Sequence, residues 1–220
     1  LILKTAQLLL FRLLYTGDFT MHIPDGNLFM MCPHPVEEAF RPMPEGYELR
    51  LCQPEQLEEW MALHFDDEAT FQAHREEMQR FFDQVYLPRQ ELFFERCLML
   101  FRGDTLLGSC FLWPAYGNIN TVHWFKIKKE AEGHGLGRSL LSAVLRDLRP
   151  EGCPVFLHTQ PGSFRAIKLY TDFGFQLLTD PIIGVRPNHL TESLPFLKEI
   201  MPARDFERLT FATAPSYFLE

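Results

Sequence analysis

Apolar positions recur along the chain with two periods, and the switches between them mark out its elements. YELRL, Tyr47 to Leu51, alternates as a short strand. PEQLEEWMALHF continues as a helix, with Pro54 in the first turn, where a missing N–H is tolerated. From Asp67 to about Tyr86, Phe71, His74, Met78, Phe81, Phe82 and Val85 fall to one side at helical spacing, which predicts an amphipathic helix ended before Pro88. CLMLFR (Cys97 to Arg102), the turn Gly103-Asp104 and TLLGSCFLW (Thr105 to Trp113) read as an antiparallel hairpin. After the loop PAYGN, TVHWFKI (Thr121 to Ile127) is a third apolar run. The stretch EGHGLGRSLL, Glu132 to Leu141, starts a helix to about Leu148, and PVFLHT (Pro154 to Thr159) reads as a buried strand. Helices near Ser163 to Phe173 and Leu190 to Ile200, with strands at Phe175 to Leu178 and Leu209 to Ala212, complete the order β-α-α-β-β-β-α-β-α-β-α-β.

With 220 residues, 46% of them hydrophobic and 21 of them Phe, the chain can bury a full core and reads as one domain or one domain with additions. The formal net charge of -8 argues against nucleic acid, whose phosphates require a basic face, and suits either a cationic partner or solubility alone. LLLFRLLY, Leu8 to Tyr15, is far shorter than the ~20 apolar residues of a membrane span and contains Arg12. It also lacks a signal-type cleavage site. Met21 could be a natural start for a chain that here begins with Leu1. Cys32, Cys52, Cys97, Cys110 and Cys153 are odd in number and form no C-x-x-C pair, so a soluble protein of the reducing cytoplasm is expected, with no metal and no membrane association. CPHP, Cys32 to Pro35, reads as an irregular loop rather than a metal site.

The glycines of EGHGLGRSLL raise a chemical question. A strand, a glycine-rich turn and a helix start gather free backbone N–H groups and the positive helix end at one point, a ready site for phosphate. Glycine lets the phosphate oxygens approach the amides, although an ordinary tight turn has the same composition. The triphosphate loop requires a lysine that is absent here, and the dinucleotide fingerprint requires G-x-G-x-x-G, whereas Gly133, Gly135 and Gly137 give G-x-G-x-G.

The run I-K-K-E-A-E-G-H-G-L-G-R-S-L-L from Ile127 resembles the pyrophosphate-loop motif V-x-P-x-x-[QR]-x-x-G-x-[GA] of the GNAT superfamily of acyl-CoA-dependent N-acyltransferases. S-F-R-A-I-K-L-Y-T-D-F-G-F, Ser163 to Phe175, resembles that family's second motif, N-x-x-A-x-x-[LF]-Y-x-x-x-G-F. The resemblance covers roughly Glu45 to Thr179 and continues to the last strand near Phe211. It departs at Lys129, where the family usually has Pro, at Glu132, where it has Gln or Arg, and at Ser163, where it has Asn. Glu132 puts a negative charge near the expected diphosphate, which Arg138, Arg165 and Lys168 could offset.

The resemblance implies an α/β (mixed α+β) GNAT-type fold, a mixed, mostly antiparallel sheet flanked by helices and splayed between its fourth and fifth strands. It divides the chain into an N-terminal extension, residues 1–45, and an acetyltransferase domain, residues 46–220, with an inserted helix near 190–201. It implies an N-acetyltransferase that moves an acetyl group from acetyl-CoA, its cosubstrate, to a primary amine by direct attack. The alternatives are a catalytically degenerate CoA-binding module of the same fold and an unrelated α/β interaction domain. The expected CoA contacts are Phe125, Ile127, Gly133, His134, Gly135, Leu136, Gly137, Arg138, Ser163, Arg165, Ala166 and Tyr170. Tyr170 takes the place of the family's proton donor to the departing thiolate. His123 is the candidate base for the amine, or else a strand histidine satisfied by the backbone. His158 and Thr159 are further substrate candidates. The acceptor pocket is expected from Asp66, Asp67 and Glu68, which also read as a helix cap, and from Pro181 to Pro187. The partner is then a small-molecule amine, and a homodimer is possible.

Overall fold

The computed structural model describes residues 23–219, so Leu8 to Tyr15 and Met21 lie outside the described residues. In chain order the strands are β1 (Leu28–Cys32), β2 (Glu48–Leu51), β3 (Leu98–Arg102), β4 (Thr105–Ala115), β5 (Ile119–Ile127), β6 (Val155–Thr159), β7 (Gln176–Leu178), β8 (Ile182–Ile183), β9 (Arg186–Pro187) and β10 (Phe211–Ala212). The α-helices are α1 (Leu57–Leu63), α2 (Glu68–Val85), α3 (Gln90–Arg96), α4 (Leu136–Leu145), α5 (Phe164–Asp172), α6 (Leu190–Ile200), α7 (Ala203–Phe206) and α8 (Ser216–Leu219). None of them is long and apolar enough to cross a membrane. Contacts divide the chain into two compact units.

The first unit contains Arg41–Trp113 and His123–Asp147. Its strands follow the order β5-β4-β3-β2. The β2–β3 register sets Glu48 opposite Phe101 and Leu51 opposite Leu98, and the β3–β4 hairpin turns at Gly103 as the sequence pattern predicts. Gly108 on β4 lies so close to β5 that a Cβ there would meet the Lys126 carbonyl oxygen at 2.6 Å, which explains a glycine inside a buried strand. The helix of α2 begins where expected because Asp67 caps it, accepting from the Thr70 N–H at 2.8 Å and from the Thr70 hydroxyl at 2.9 Å. Phe71, Met78 and Phe82 are its buried stripe. Phe82 packs with Trp60 of α1 and Phe93 of α3, a helix absent from the expected series. The helix α4 ends at Leu145 rather than near Leu148.

The second unit contains, among the described residues, 23–40, Pro114–Val122 and 148–219. Its strand order is β10-β7-β1-β6-β5. The strand β1, LFMMC, is fully buried and pairs antiparallel with both β6 and β7, Met30 facing Leu157 on one side and Leu177 on the other. It falls within residues expected as an N-terminal extension. The last strand, β10, runs parallel to β7 at the edge, and β5 meets β6 in parallel at Thr121 and Phe156. The strands thus form the mixed, mostly antiparallel arrangement expected from the sequence, with Phe29, Phe156, Leu178, Ile183 and Phe218 as a core cluster of this unit. Cys32 closes β1, and its thiol donates to the Phe173 carbonyl at 3.4 Å. Burial, with Cys153 nearby, pushes that thiol up to about 12.

Candidate active site

The first unit carries the strand and loop of the first motif. Lys128 N–H donates to the Leu107 carbonyl at 2.7 Å, which ends β5 against β4 and hands the chain to a single 3-10 turn, Lys129–Ala131. Gly133 (φ 82°) and Gly135 (φ 77°) then both adopt the left-handed conformation that side chains disfavour. A Cβ on either would meet nothing within 4 Å, so the space in front of the turn is open. Gly135 is the N-cap of α4 and brings no side-chain hydrogen bond to its first turn. The Ser139 hydroxyl donates to the Pro42 carbonyl at 2.8 Å, and Arg41 N–H donates to the Ser142 hydroxyl at 2.9 Å, anchoring α4 at this end. Leu136 is buried, Gly137 and Arg138 are half-buried, and Glu132 and His134 are exposed. The His134 Nδ1 lies 3.0 Å from the Glu132 carbonyl oxygen.

Trp124, within β5, has φ 49°, a left-handed backbone rare for a bulky residue. The Ser109 hydroxyl donates to its carbonyl at 3.1 Å. Its ring lies 4.5 Å from His64, 5.5 Å from Phe81 and 5.7 Å from Trp60. Consecutive residues of a regular strand point to opposite faces. Here His123 Nδ1 and Trp124 Nε1 reach the same group, the Tyr86 hydroxyl, at 2.6 and 2.8 Å. The left-handed backbone at Trp124 departs from that alternation. Phe125 and Ile127, the expected CoA-arm residues, are half-buried on the same strand.

Of the expected acceptor residues, Asp67 is a cap and Asp66 pairs with Lys126 at 3.4 Å. Thr70 holds the Asp67 carboxyl below its usual range, chiefly through its backbone N–H. His64, which sequence reasoning did not select, is buried with its Nε2 lacking a hydrogen-bond partner among the described residues. Burial first and the Lys126 charge second lower its pKa well below 6.5. The unfolded chain protonates this imidazole near ~6.5 while the folded chain does not, so stability is complete above that pH and falls as pH drops toward the folded value, by at most ~1.4 kcal/mol per pH unit. His64→Phe keeps the ring contacts, and urea unfolding at pH 7 and pH 5.5 is expected to show a smaller acid loss than in the wild type. An equal loss would assign the acid sensitivity elsewhere.

The second unit carries the second motif. Ser163 closes a 3-10 turn before α5 without capping it, Arg165 lies 5.6 Å over the Phe164 ring, and Ala166 follows on the same helix. Tyr170 is buried, 5.7 Å from the Phe175 ring. Lys168, read as a phosphate partner, pairs instead with Asp172 at 2.6 Å, and Arg208 reaches the same carboxylate at 3.2 Å. His158 is half-buried and paired, its Nε2 2.9 Å from Asn27 Oδ1, and Thr159 is buried. Pro181 to Pro187 forms the β8–β9 hairpin with Val185 at its exposed tip.

The sequence model of the Acetyltransferase (GNAT) family matches residues 54–175, more than half of the chain. The chain belongs to the GNAT acetyltransferase family. A mycothiol acetyltransferase from Saccharopolyspora erythraea is 34% identical over 112 residues, which make up 48% of this chain and 36% of that protein. This GNAT chain therefore spans about a third of the length of that curated relative. A tandem GNAT protein from the clavulanic acid biosynthesis pathway superposes with a TM-score of 0.52 at 17% identity, over 76% of this chain and 51% of that one. A GNAT-family acetyltransferase from Colwellia psychrerythraea gives 0.51 at 12% identity, over 71% and 53%. These two structures share the fold. Both glycines of the family's first motif that adopt left-handed geometry lie beside open space, so the residues present suit the diphosphate of an acyl-CoA.

Proposed function

We propose that the chain transfers an acetyl group from acetyl-CoA to a primary amine of a small molecule, peptide or protein by direct attack on the thioester. The observation that carries this reading is the glycine turn at the head of α4, where two left-handed glycines face open space before a helix start with no side-chain cap. Backbone donors so arranged suit a diphosphate. Likeness to a mycothiol acetyltransferase supports acyl transfer as the chemistry. Phe125 and Ile127 are proposed to line the pantetheine arm, with Arg138 and Arg165 offsetting phosphate charge; Ser163, Ala166 and the backbone from Gly133 to Gly137 complete the cosubstrate contacts. Amides of β5 are proposed to donate to the thioester carbonyl and steady its developing charge.

An amine with pKa ~10 is mostly protonated at neutral pH and must lose a proton before it attacks. His123 is the proposed recipient, and Tyr170 the donor that protonates the departing thiolate. Thermal unfolding with and without acetyl-CoA, then turnover across a panel of primary amines, tests the reading. Tyr170→Phe is expected to lower kcat about 10²- to 10⁴-fold with little change in acetyl-CoA affinity. Normal turnover in that variant would remove the acid role from Tyr170. Binding of acetyl-CoA without turnover on any amine would make the chain a CoA-binding module instead.

A further inference from the structure

The hydrogen bonds around β5 single out a group that neither motif contains. Tyr86 is the C-cap of α2 and is completely buried. Its ring meets Trp113 edge-on at 4.8 Å, Phe111 at 5.6 Å and Trp60 at 6.1 Å, so the direction of its hydroxyl is set by packing. That hydroxyl has two hydrogen-bonding neighbours among the described residues, Trp124 Nε1 at 2.8 Å and His123 Nδ1 at 2.6 Å. An indole N–H can only donate, so Trp124 occupies an acceptor position of the phenol oxygen. The phenol proton is then directed at His123 Nδ1. Reversing this polarity, with Nδ1–H donating to the phenol, would leave a buried hydroxyl proton without an acceptor, which costs more than the bond contributes.

We infer that Tyr86 is a positioning residue that holds His123 in the tautomer with its proton on Nε2 and its Nδ1 lone pair engaged, with Trp124 orienting the phenol. Burial raises the ionisation of Tyr86 well above the usual tyrosine range, so the phenol keeps its proton and remains a donor. For the reaction, the consequence is specific. His123 offers an N–H at Nε2, and it receives an amine's proton there only after exchanging tautomers against the phenol. That consequence rests on the proposed acetyltransferase reading; the tautomer itself does not.

The test is a long-range 1H–15N correlation spectrum of 15N-histidine-labelled full chain at neutral pH, with the His123 signals assigned by their loss in His123→Gln. In the wild type, Nδ1 is expected to resonate as a lone-pair nitrogen and Nε2 as a protonated one, the Nε2–H form favoured about tenfold or more. Tyr86→Phe removes only the hydroxyl and is expected to bring the two tautomers within a few-fold of each other. A wild-type spectrum with the proton on Nδ1, or a Tyr86→Phe spectrum identical to the wild type, would overturn the assignment. The wild-type spectrum decides by itself where the variant fails to fold. Absence of turnover alongside the expected spectrum would count against the acetyltransferase reading and leave the Tyr86 assignment supported.

Discussion

Replacing Gly135 by Val is expected to abolish the stabilisation that acetyl-CoA gives the wild-type protein. A ligand at about 100 times its Kd adds ~2.7 kcal/mol, which for a chain of this size is a rise in Tm of roughly 5–10 °C. Gly135 has φ 77°, and a β-branched residue forced into that region costs roughly 1–2 kcal/mol. The larger effect is on the site. Nothing lies within 4 Å of a Cβ at this position, so an isopropyl group would stand in the open space before the first turn of α4. Gly46 supplies the control, since it has φ 83° and equally open surroundings, but lies in a surface turn outside the motif. Gly46→Val is expected to lower the ligand-free Tm similarly and to keep the acetyl-CoA shift. A Gly135→Val variant that still shifts like the wild type would place the diphosphate elsewhere.

Trp60→Ala is expected to be the most damaging single substitution in the first unit. Trp60 is completely buried, and its ring lies within 5.0 to 6.5 Å of His64, Phe82, Tyr86, Phe93, Phe111 and Trp124. Removing a large aromatic ring from such a core leaves a cavity and typically costs ~3–5 kcal/mol. That is a large part of the ~5–15 kcal/mol that usually holds a domain together. The midpoint of urea unfolding should fall accordingly, and by much less in Trp60→Phe. A loss under about 1 kcal/mol would mean that the neighbours close the gap.

How much of this was readable beforehand depends on the range of the physics involved. The glycine turn was legible because backbone donors and left-handed geometry impose glycine locally, at Gly133 and Gly135. The cap at Asp67 and the hairpin turn at Gly103 were legible for the same local reason. The strand LFMMC was not. Five consecutive apolar residues carry no period, and the partners that make them a strand, Leu157 and Leu177, are far along the chain. The helix α3 was missed because a seven-residue segment after Pro88 has too few turns to display a stripe. The Tyr86 cluster left no signal either, since it depends on a left-handed backbone at Trp124 that no spacing rule announces.

All three tryptophans, Trp60, Trp113 and Trp124, fall in the first unit, where their rings gather around Tyr86. Intrinsic fluorescence excited at the indole band therefore follows one unit and is blind to the other, whereas far-ultraviolet circular dichroism sees both. The chain thus carries its own two-channel thermometer: coincident melting curves would mean one cooperative transition, and separated curves would time the loss of the Gly135 turn against the loss of the Tyr170 helix.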